Sequence, residues 1–466
     1  IDKFAFAGVE RLGTVEFEEG SELKTIADYA FATYGLTSSA TLDLSVLSQL
    51  KKVGNYAFSV KDSYFGEKIK TVILPNNLTE LEVGICPFGS KLETIEISED
   101  NKNYTLIDNC LIKGNTVVFG TRLSIIPAEY EYTDANNNTS KIKINKIGKC
   151  AFAGADISTV EIPSSVEIIE ESAFEGCTGK TSLALHKGLT TIGNRAFANV
   201  ALTDISFGTD SELKQIGDEA FSGATIKQLS IPSTVKTIGR NAFASAHLEK
   251  LTFETRIEKG HRLYDLQNIG DMAFNNSLSL QRLVAPAGVI AKIKGSVADV
   301  QNIEIVGEDD IEAGLLAKTR VSSLSIGEGV KKIGDRAFEG LEITSLTIPA
   351  SVLEIGVGAF WHCPIETLAV AEGNTEYFVK NNCLIDKTTH TLVAAFGNGT
   401  ISKDFVWGGS DGKTKIFDVT SIGYGAFAYA KIESMVIPSN VKTIGEFAFA
   451  HSALKQVVIE SGVKNI

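Results

Sequence analysis

Six histidines and six cysteines are the residues with the chemistry to hold a metal or act as nucleophiles. The histidines are His186, His247, His261, His362, His390 and His451; the cysteines are Cys86, Cys110, Cys150, Cys177, Cys363 and Cys383. Neither set has the required spacing. No H-E-x-x-H and no C-x-x-C occurs, so zinc and dithiol redox chemistry lack their donor pairs. Gly179-Lys180-Thr181 and Gly412-Lys413-Thr414 look like the end of a phosphate loop, but the earlier glycine of that motif is replaced by Phe174 and Trp407. Gly356-Val357-Gly358 and Gly423-Tyr424-Gly425 precede no helix-length segment and read as corners. Ser98-Glu99-Asp100-Asn101 and Glu308-Asp309-Asp310 have no EF-hand or calcium-roll pattern and read as solvated turns. No catalytic, metal-binding or cofactor-binding residue is assigned, and no cofactor is expected.

The remaining candidates are contact residues. Aromatic side chains concentrate in two stretches, as Tyr104, Phe119, Tyr130 and Tyr132, and as Tyr377, Phe378, Phe405 and Trp407. Tyr130, Tyr132, Tyr377, Phe405 and Trp407 are candidate anchors for a partner. The competing reading, that they pack on the flank of the fold, stays open. Gln228, Ser230 and Lys250 are further candidates on what reads as a smooth polar strand surface.

A recurring phrase specifies the elements that carry these residues. I-G-x-x-A-F stands at Ile192–Phe197, Ile216–Phe221 and Ile238–Phe243. It returns ending at Phe274, Phe338, Phe427 and Phe449, and in looser form at Phe6, Phe31, Phe58, Phe88, Phe152, Phe174 and Phe360. A period in the low twenties marks a solenoid, so length counts repeats rather than domains. In one clean unit Leu229 and Ile231 alternate with Gln228 and Ser230, which is strand periodicity with one buried face. Pro232 ends the strand. Val235, Ile238 and Ala242 then follow at spacings that suit a short helical or 3₁₀ return, with Gly239 at a tight corner. Neither segment can bury its apolar side alone, so coils must stack.

The full pattern L-x-x-L-x-I-P-x-x-V-x-x-I-G-x-x-A-F resembles the BspA-like, or Treponema pallidum-type, leucine-rich repeat, over nearly all of the chain. The expected fold is an α/β-type repeat solenoid. It would be a right-handed horseshoe or superhelix with a parallel sheet on its concave face, short helical or 3₁₀ returns and β-hairpin inserts. The expected organisation is a single solenoid over 1–466, with inserts at 98–147 and 371–419. Residues 283–330 form degenerate repeats, with Leu316 standing where a phenylalanine would fall. The inserts match each other: Tyr104 precedes Cys110, and Tyr377 precedes Cys383, by six residues. Each leads to a hairpin, through Asn136-Asn137-Asn138 and through Gly408–Gly412. A smaller third hairpin is expected around Arg256–Tyr264.

The resemblance implies a non-enzymatic bacterial protein, at the cell surface or extracellular, that binds a host protein or another cell. A glycan-binding accessory protein is the alternative. A formal charge of −13 argues against nucleic acid, whose phosphates call for clustered Lys and Arg. No apolar run reaches the ~20 residues of a membrane span. The matched apolar settings of Cys110 and Cys383 suggest buried free thiols.

Overall fold

Each coil is built around a strand whose alternate side chains turn inward. The computed structural model describes residues 1–9, 12, 14–32, 40–58, 69–99, 101–133, 136–275, 280–296, 298–403, 405–408 and 414–466. They fall into two compact units, Ile1–Leu248 with Asp265–Ser277, and Glu249–Tyr264 with Leu278–Ile466.

In the first unit, long strands pair in parallel from coil to coil, as Ser182–Leu185 does with Asp204–Phe207. Leu183, Leu185 and Ile205 are buried, while Ser182, Ala184, Asp204 and Ser206 face out. Where Pro is present it closes this strand with a turn: the Val166 and Val235 N–H groups donate to the Pro163 and Pro232 carbonyls, both at 3.1 Å. A second parallel ladder follows, made of two-residue strands. Ile168–Ile169, Thr191–Ile192, Gln215–Ile216, Thr237–Ile238 and Asn268–Ile269 succeed one another in it.

The expected helical returns are therefore replaced by strand and turn. The reason lies in the donors. Gly239 N–H donates to Ile216 O of the preceding coil at 2.8 Å, and Phe221 N–H to Ala242 O of the following coil at 2.8 Å. Only the intervening residues bond locally, as Ala198 N–H does to Arg195 O at 3.0 Å. Half of the segment's donors thus leave the coil, and an i→i−4 ladder cannot form. Among the described residues the one α-helix is Ala287–Lys292.

The glycine of the phrase has a different task from the one its sequence position suggests. At Gly217 an added Cβ would stand 2.5 Å from Asn194 N and 2.6 Å from Asn194 Oδ1. The constraint is close approach of the neighbouring coil, not a positive φ. The following Asn or Asp uses that proximity. Asn194 Oδ1 accepts from Asp218 N–H at 2.9 Å, and Asp218 Oδ1 from Arg240 N–H at 2.7 Å. Phenylalanine rings stack beneath this corner. Phe174, Phe197, Phe221 and Phe243 are buried, with successive centroids 5.1–5.3 Å apart and planes within 7°.

The second unit repeats the scheme. Lys332–Ile333 pairs with Glu354–Ile355, and Ser345–Ile348 with Thr367–Val370, all parallel. Leu316, fully buried, takes the phenylalanine position, its N–H donating to Ala337 O at 2.9 Å.

Both inserts are antiparallel meanders whose third strand enters the short-strand ladder. Thr105–Ile107, Cys110–Lys113 and Thr116–Gly120 form the first, with Thr116 and Val117 paired to Lys146 and Ile147. Tyr377–Lys380, Cys383–Asp386 and Thr391–Ala395 form the second, which continues to Ser421–Ile422. The hairpins pair Glu129–Thr133 with Thr139–Lys143, Arg256–Glu258 with His261–Leu263, and Phe405–Gly408 with Thr414–Phe417. Residues 409–413 of the last turn, with the Gly412-Lys413 pair, lie outside the described residues.

Cys110 and Cys383 are both fully buried, and no cysteine is in a disulfide. Burial pushes the thiols of Cys110, Cys363 and Cys383 up to about 12 and that of Cys150 to about 11. Cys177 and Cys363 each donate to the carbonyl of the preceding coil's phenylalanine, Phe152 and Phe338, at 2.9 Å.

Two outcomes are expected. Phe221→Ala removes a fully buried ring from the stack and costs about 3–5 kcal/mol in urea unfolding. At pH 8 the native thiols of Cys110, Cys150, Cys363 and Cys383 are protonated, so maleimide labels them slowly, and all six cysteines react promptly once the protein is denatured.

Candidate interaction surface

Among the described residues, the position two residues after the ladder phenylalanine lies in the left-handed region in most coils. In most coils a residue that tolerates this occupies it: Gly154, Gly176, Gly223 and Gly340, with φ of 67–79°, and Asn199 and Ser245 at 57° and 60°. Late in the second unit the same position holds His362, Tyr429 and His451, with φ of 63°, 63° and 56°. Bulky side chains are unfavourable there. Their rings line up on the surface: His362 and Tyr429 have centroids 3.9 Å apart, and Tyr429 and His451 4.9 Å apart at 22°.

Three more residues of the same turns, with Arg336 of the Phe338 turn, extend this stack. Trp361 meets His362 edge-on at 4.9 Å, Tyr424 at 5.9 Å and Phe447 at 6.4 Å. Tyr424 and Phe447 are 5.5 Å apart. The Arg336 guanidinium lies 5.3 Å over the Trp361 ring and donates to the Tyr424 hydroxyl at 3.3 Å. Phe447 is 56% exposed and Tyr429 40% exposed. Trp361 Nε1 is covered and has no hydrogen-bond partner among the described residues. A cation, two phenols, an indole and a phenyl ring thus share one open edge.

The anchors expected from sequence lie elsewhere, and most turn inward. Tyr130 is buried, its hydroxyl donating to Gly114 O at 2.8 Å. Tyr377 is buried, its hydroxyl accepting from Ile355 N–H at 2.9 Å, and burial raises it to about 12. Phe405 is 1% exposed, within the apolar core of the second unit. Tyr377 and Phe405 hold the second insert onto the coils, Tyr130 ties the first hairpin to its own meander, and the three buried rings present no face to a partner. Tyr132 is 40% exposed. Trp407 pairs with Lys415 through the backbone, and its side chain lies outside the described residues. Gln228 and Ser230 point outward from their strand, and Lys250 is half-buried on its own.

The chemical candidates also have structural roles. Lys180 donates to Val160 O at 2.9 Å and pairs with Glu161. The Glu308 and Asp309 turn is a clamp rather than a solvated loop. Glu308 accepts from Arg262 N–H at 2.8 Å and meets His261 Nδ1 at 2.9 Å, which holds its carboxyl below the usual range. Asp309 accepts from the Tyr264 hydroxyl at 2.7 Å and from Gly288 N–H at 3.1 Å. In the other acidic turn, Asp100 lies outside the described residues. Among the described residues no three His, Cys, Asp or Glu side chains gather as a donor set for a metal. No helix among them is long and apolar enough to cross a membrane.

Sequence reasoning looked for aromatics in the inserts and passed over those inside the repeat. Their signal was present: at the second place after the ladder phenylalanine, His362, Tyr429 and His451 replace the glycine of earlier coils.

Stacked parallel coils with a buried phenylalanine row and one decorated edge define a repeat scaffold of the leucine-rich type. The chain belongs to the family described as the BspA type leucine rich repeat region (6 copies), which matches residues 1–116, 145–262, 309–391 and 416–466. No curated protein matches the chain. Among solved structures it is similar to the pneumococcal vaccine antigen PcpA, at 17% identity over 78% of this chain and 70% of that one, with a TM-score of 0.26. It is similar to a leucine-rich cell surface protein from Faecalibacterium prausnitzii A2-165, at 20% over 78% and 76%, TM-score 0.30. A leucine-rich repeat protein from Bacteroides ovatus ATCC 8483 is similar at 18% over 70% and 83%, TM-score 0.28.

Tyr429→Gly relieves the left-handed strain but removes two ring contacts. These effects oppose each other at about 1 kcal/mol each, so the variant's unfolding free energy stays within about 1 kcal/mol of the parent's. A loss well beyond that in urea unfolding means that the stack is a structural element rather than a display.

Proposed function

We propose that this chain is a non-enzymatic bacterial interaction protein, displayed at the cell surface or secreted, that binds another protein along the aromatic edge of its second unit. The observation that carries this reading is the exposed His362, Tyr429 and His451 stack, kept at left-handed positions where glycine costs less. Trp, Tyr and Arg are the side chains that dominate binding energy at protein interfaces, and Trp361, Tyr424, Tyr429 and Arg336 stand together here. The coils are pinned by backbone bonds on two ladders and at the phenylalanine corner, so a partner meets a surface already ordered. The BspA-like resemblance supports adhesion to a host protein or another cell. Tyr132, Gln228, Ser230 and Lys250 are secondary contacts in this reading, since none is fully covered. A glycan is the alternative ligand, because the same open rings offer their faces to sugar C–H groups.

The test is binding to immobilised extracellular-matrix proteins beside a glycan array. A protein ligand is expected, with affinity reduced roughly tenfold or more by Trp361→Ala and by Tyr429→Gly. Binding unchanged by both but abolished by changing Gln228 and Ser230 to Ala moves the contact to the long strands and overturns this assignment. Binding only on the glycan array favours the alternative.

A further inference from the structure

In both units the short-strand ladder is interrupted where an insert begins. Elsewhere the last residue of the short strand shares its main chain with the next coil: Ile26 O accepts from Gly54 N–H at 2.8 Å, and Val53 O from Gly84 N–H at 2.9 Å. The next rung in line, Glu82–Val83, pairs only backward, with Lys52–Val53. The first insert's strand Thr116–Gly120 turns instead to its own hairpin and to Lys146–Ile147. Among the described residues, neither Val83 N–H nor Val83 C=O has a hydrogen-bond partner. A groove of about 440 Å³ opens beside it, with Leu81, Val83 and Val118 among its apolar lining.

The second unit meets the same interruption and fills it. There Ile355 N–H is taken by the Tyr377 hydroxyl at 2.9 Å. Tyr424 also reaches back across the break: its Cε1 would stand 3.9 Å from a Cβ on Gly358, and its hydroxyl accepts from Arg336 of the coil before that. The residue at Tyr424's place in the first unit is Lys149, which leans away to pair with Glu171 at 3.1 Å and leaves the groove open.

We propose that the groove at Val83 binds an extended, basic peptide segment of a partner protein. The segment takes the missing rung and pairs its backbone with Val83. An unpaired donor and acceptor on one residue is what an added strand recognises. The repeat itself says which side chains suit the place. A lysine comes just before the short strand in many coils, as Lys24, Lys51, Lys214, Lys236, Lys331 and Lys442. The groove's other charges are largely matched, Lys52 with Glu82 at 2.9 Å, Lys146 with Glu170 at 3.1 Å and Lys149 with Glu171 at 3.1 Å. Asp28, 3.9 Å from Lys3, is the least neutralised carboxylate left to receive such a charge. The site is separate from the aromatic edge and stands whether or not that edge binds a protein.

The probe is a fluorescent synthetic peptide copying residues 233–241, which carries Lys236, Thr237, Ile238, Gly239 and Arg240. Added to the whole protein, it is expected to give saturable anisotropy below ~1 mM and to slow hydrogen exchange at the Val83 amide. Lys149→Tyr copies the plug of the second unit and is expected to weaken binding roughly tenfold or more, with the Phe ladder intact by circular dichroism. Lys149→Ala keeps the groove open and is expected to keep binding. A peptide methylated on the Gly239 nitrogen loses the donor that faces Val83 C=O, the same N–H that donates to Ile216 O in the parent chain, and is expected to fail in the same way. No saturable binding, no protection at Val83, or binding indifferent to both Lys149→Tyr and N-methylation would falsify the proposal. Trp361→Ala serves as the control for the aromatic edge and leaves peptide binding unchanged.

Discussion

Everything in this protein depends on how closely one coil's backbone lies on the next. At the corner of the I-G-x-x-A-F phrase the gap is too small for a Cβ, as the 2.5 Å approach at Gly217 shows. That proximity lets a side-chain amide or carboxylate reach the next coil's N–H, sends half of the return segment's donors out of the coil, and sets the ring spacing beneath. A helix in the return would draw those donors back and widen the stack. Glycine, the Asx residue after it and the phenylalanine are therefore one device. The glycine place is not always glycine, Ala27, Glu170 and Glu312 being among the residues that stand there; at Glu170 the carboxylate uses the proximity, accepting from Lys149 N–H of the neighbouring coil at 3.2 Å.

The inserts show what happens when the rhythm is broken. A meander cannot pair on both sides and also turn back on itself, so the rung before it loses its partner. Each insert answers with a tyrosine whose hydroxyl takes a stranded backbone donor: Tyr104 accepts from Leu81 N–H at 2.9 Å, and Tyr377 from Ile355 N–H. The buried hydroxyls are the cause of those tyrosines' burial, which is why rings that look like free anchors in the sequence are structural.

Much of the fold was legible because repetition multiplies a weak local signal. The alternation of Leu229 and Ile231 with Gln228 and Ser230, the stop at Pro232 and the paired inserts all stand in the structure as strands, turns and meanders. The return segment was misread because Val235 and Ile238 have a helix's spacing, while the destination of their backbone donors is a property of the neighbouring coil that no single repeat displays. The surface was harder still. Tyr130, Tyr377 and Phe405 drew attention as aromatics in irregular stretches, yet irregular chain must also bury something. His362, Tyr429 and His451 passed unnoticed because the conformation of their position becomes visible only when coils are compared.

The uniform ring stack has one more implication, for how the chain finds its register. Coils with nearly identical phenylalanine, glycine and Asx sites are almost interchangeable neighbours, so a chain displaced by one whole repeat would satisfy nearly the same bonds. The meanders and the clamped hairpin at Glu308 and Asp309 occur at single addresses, and their tyrosines and carboxylates fit only one coil each. They act as index marks on an otherwise periodic track, making the correct alignment the one state in which every mark is matched.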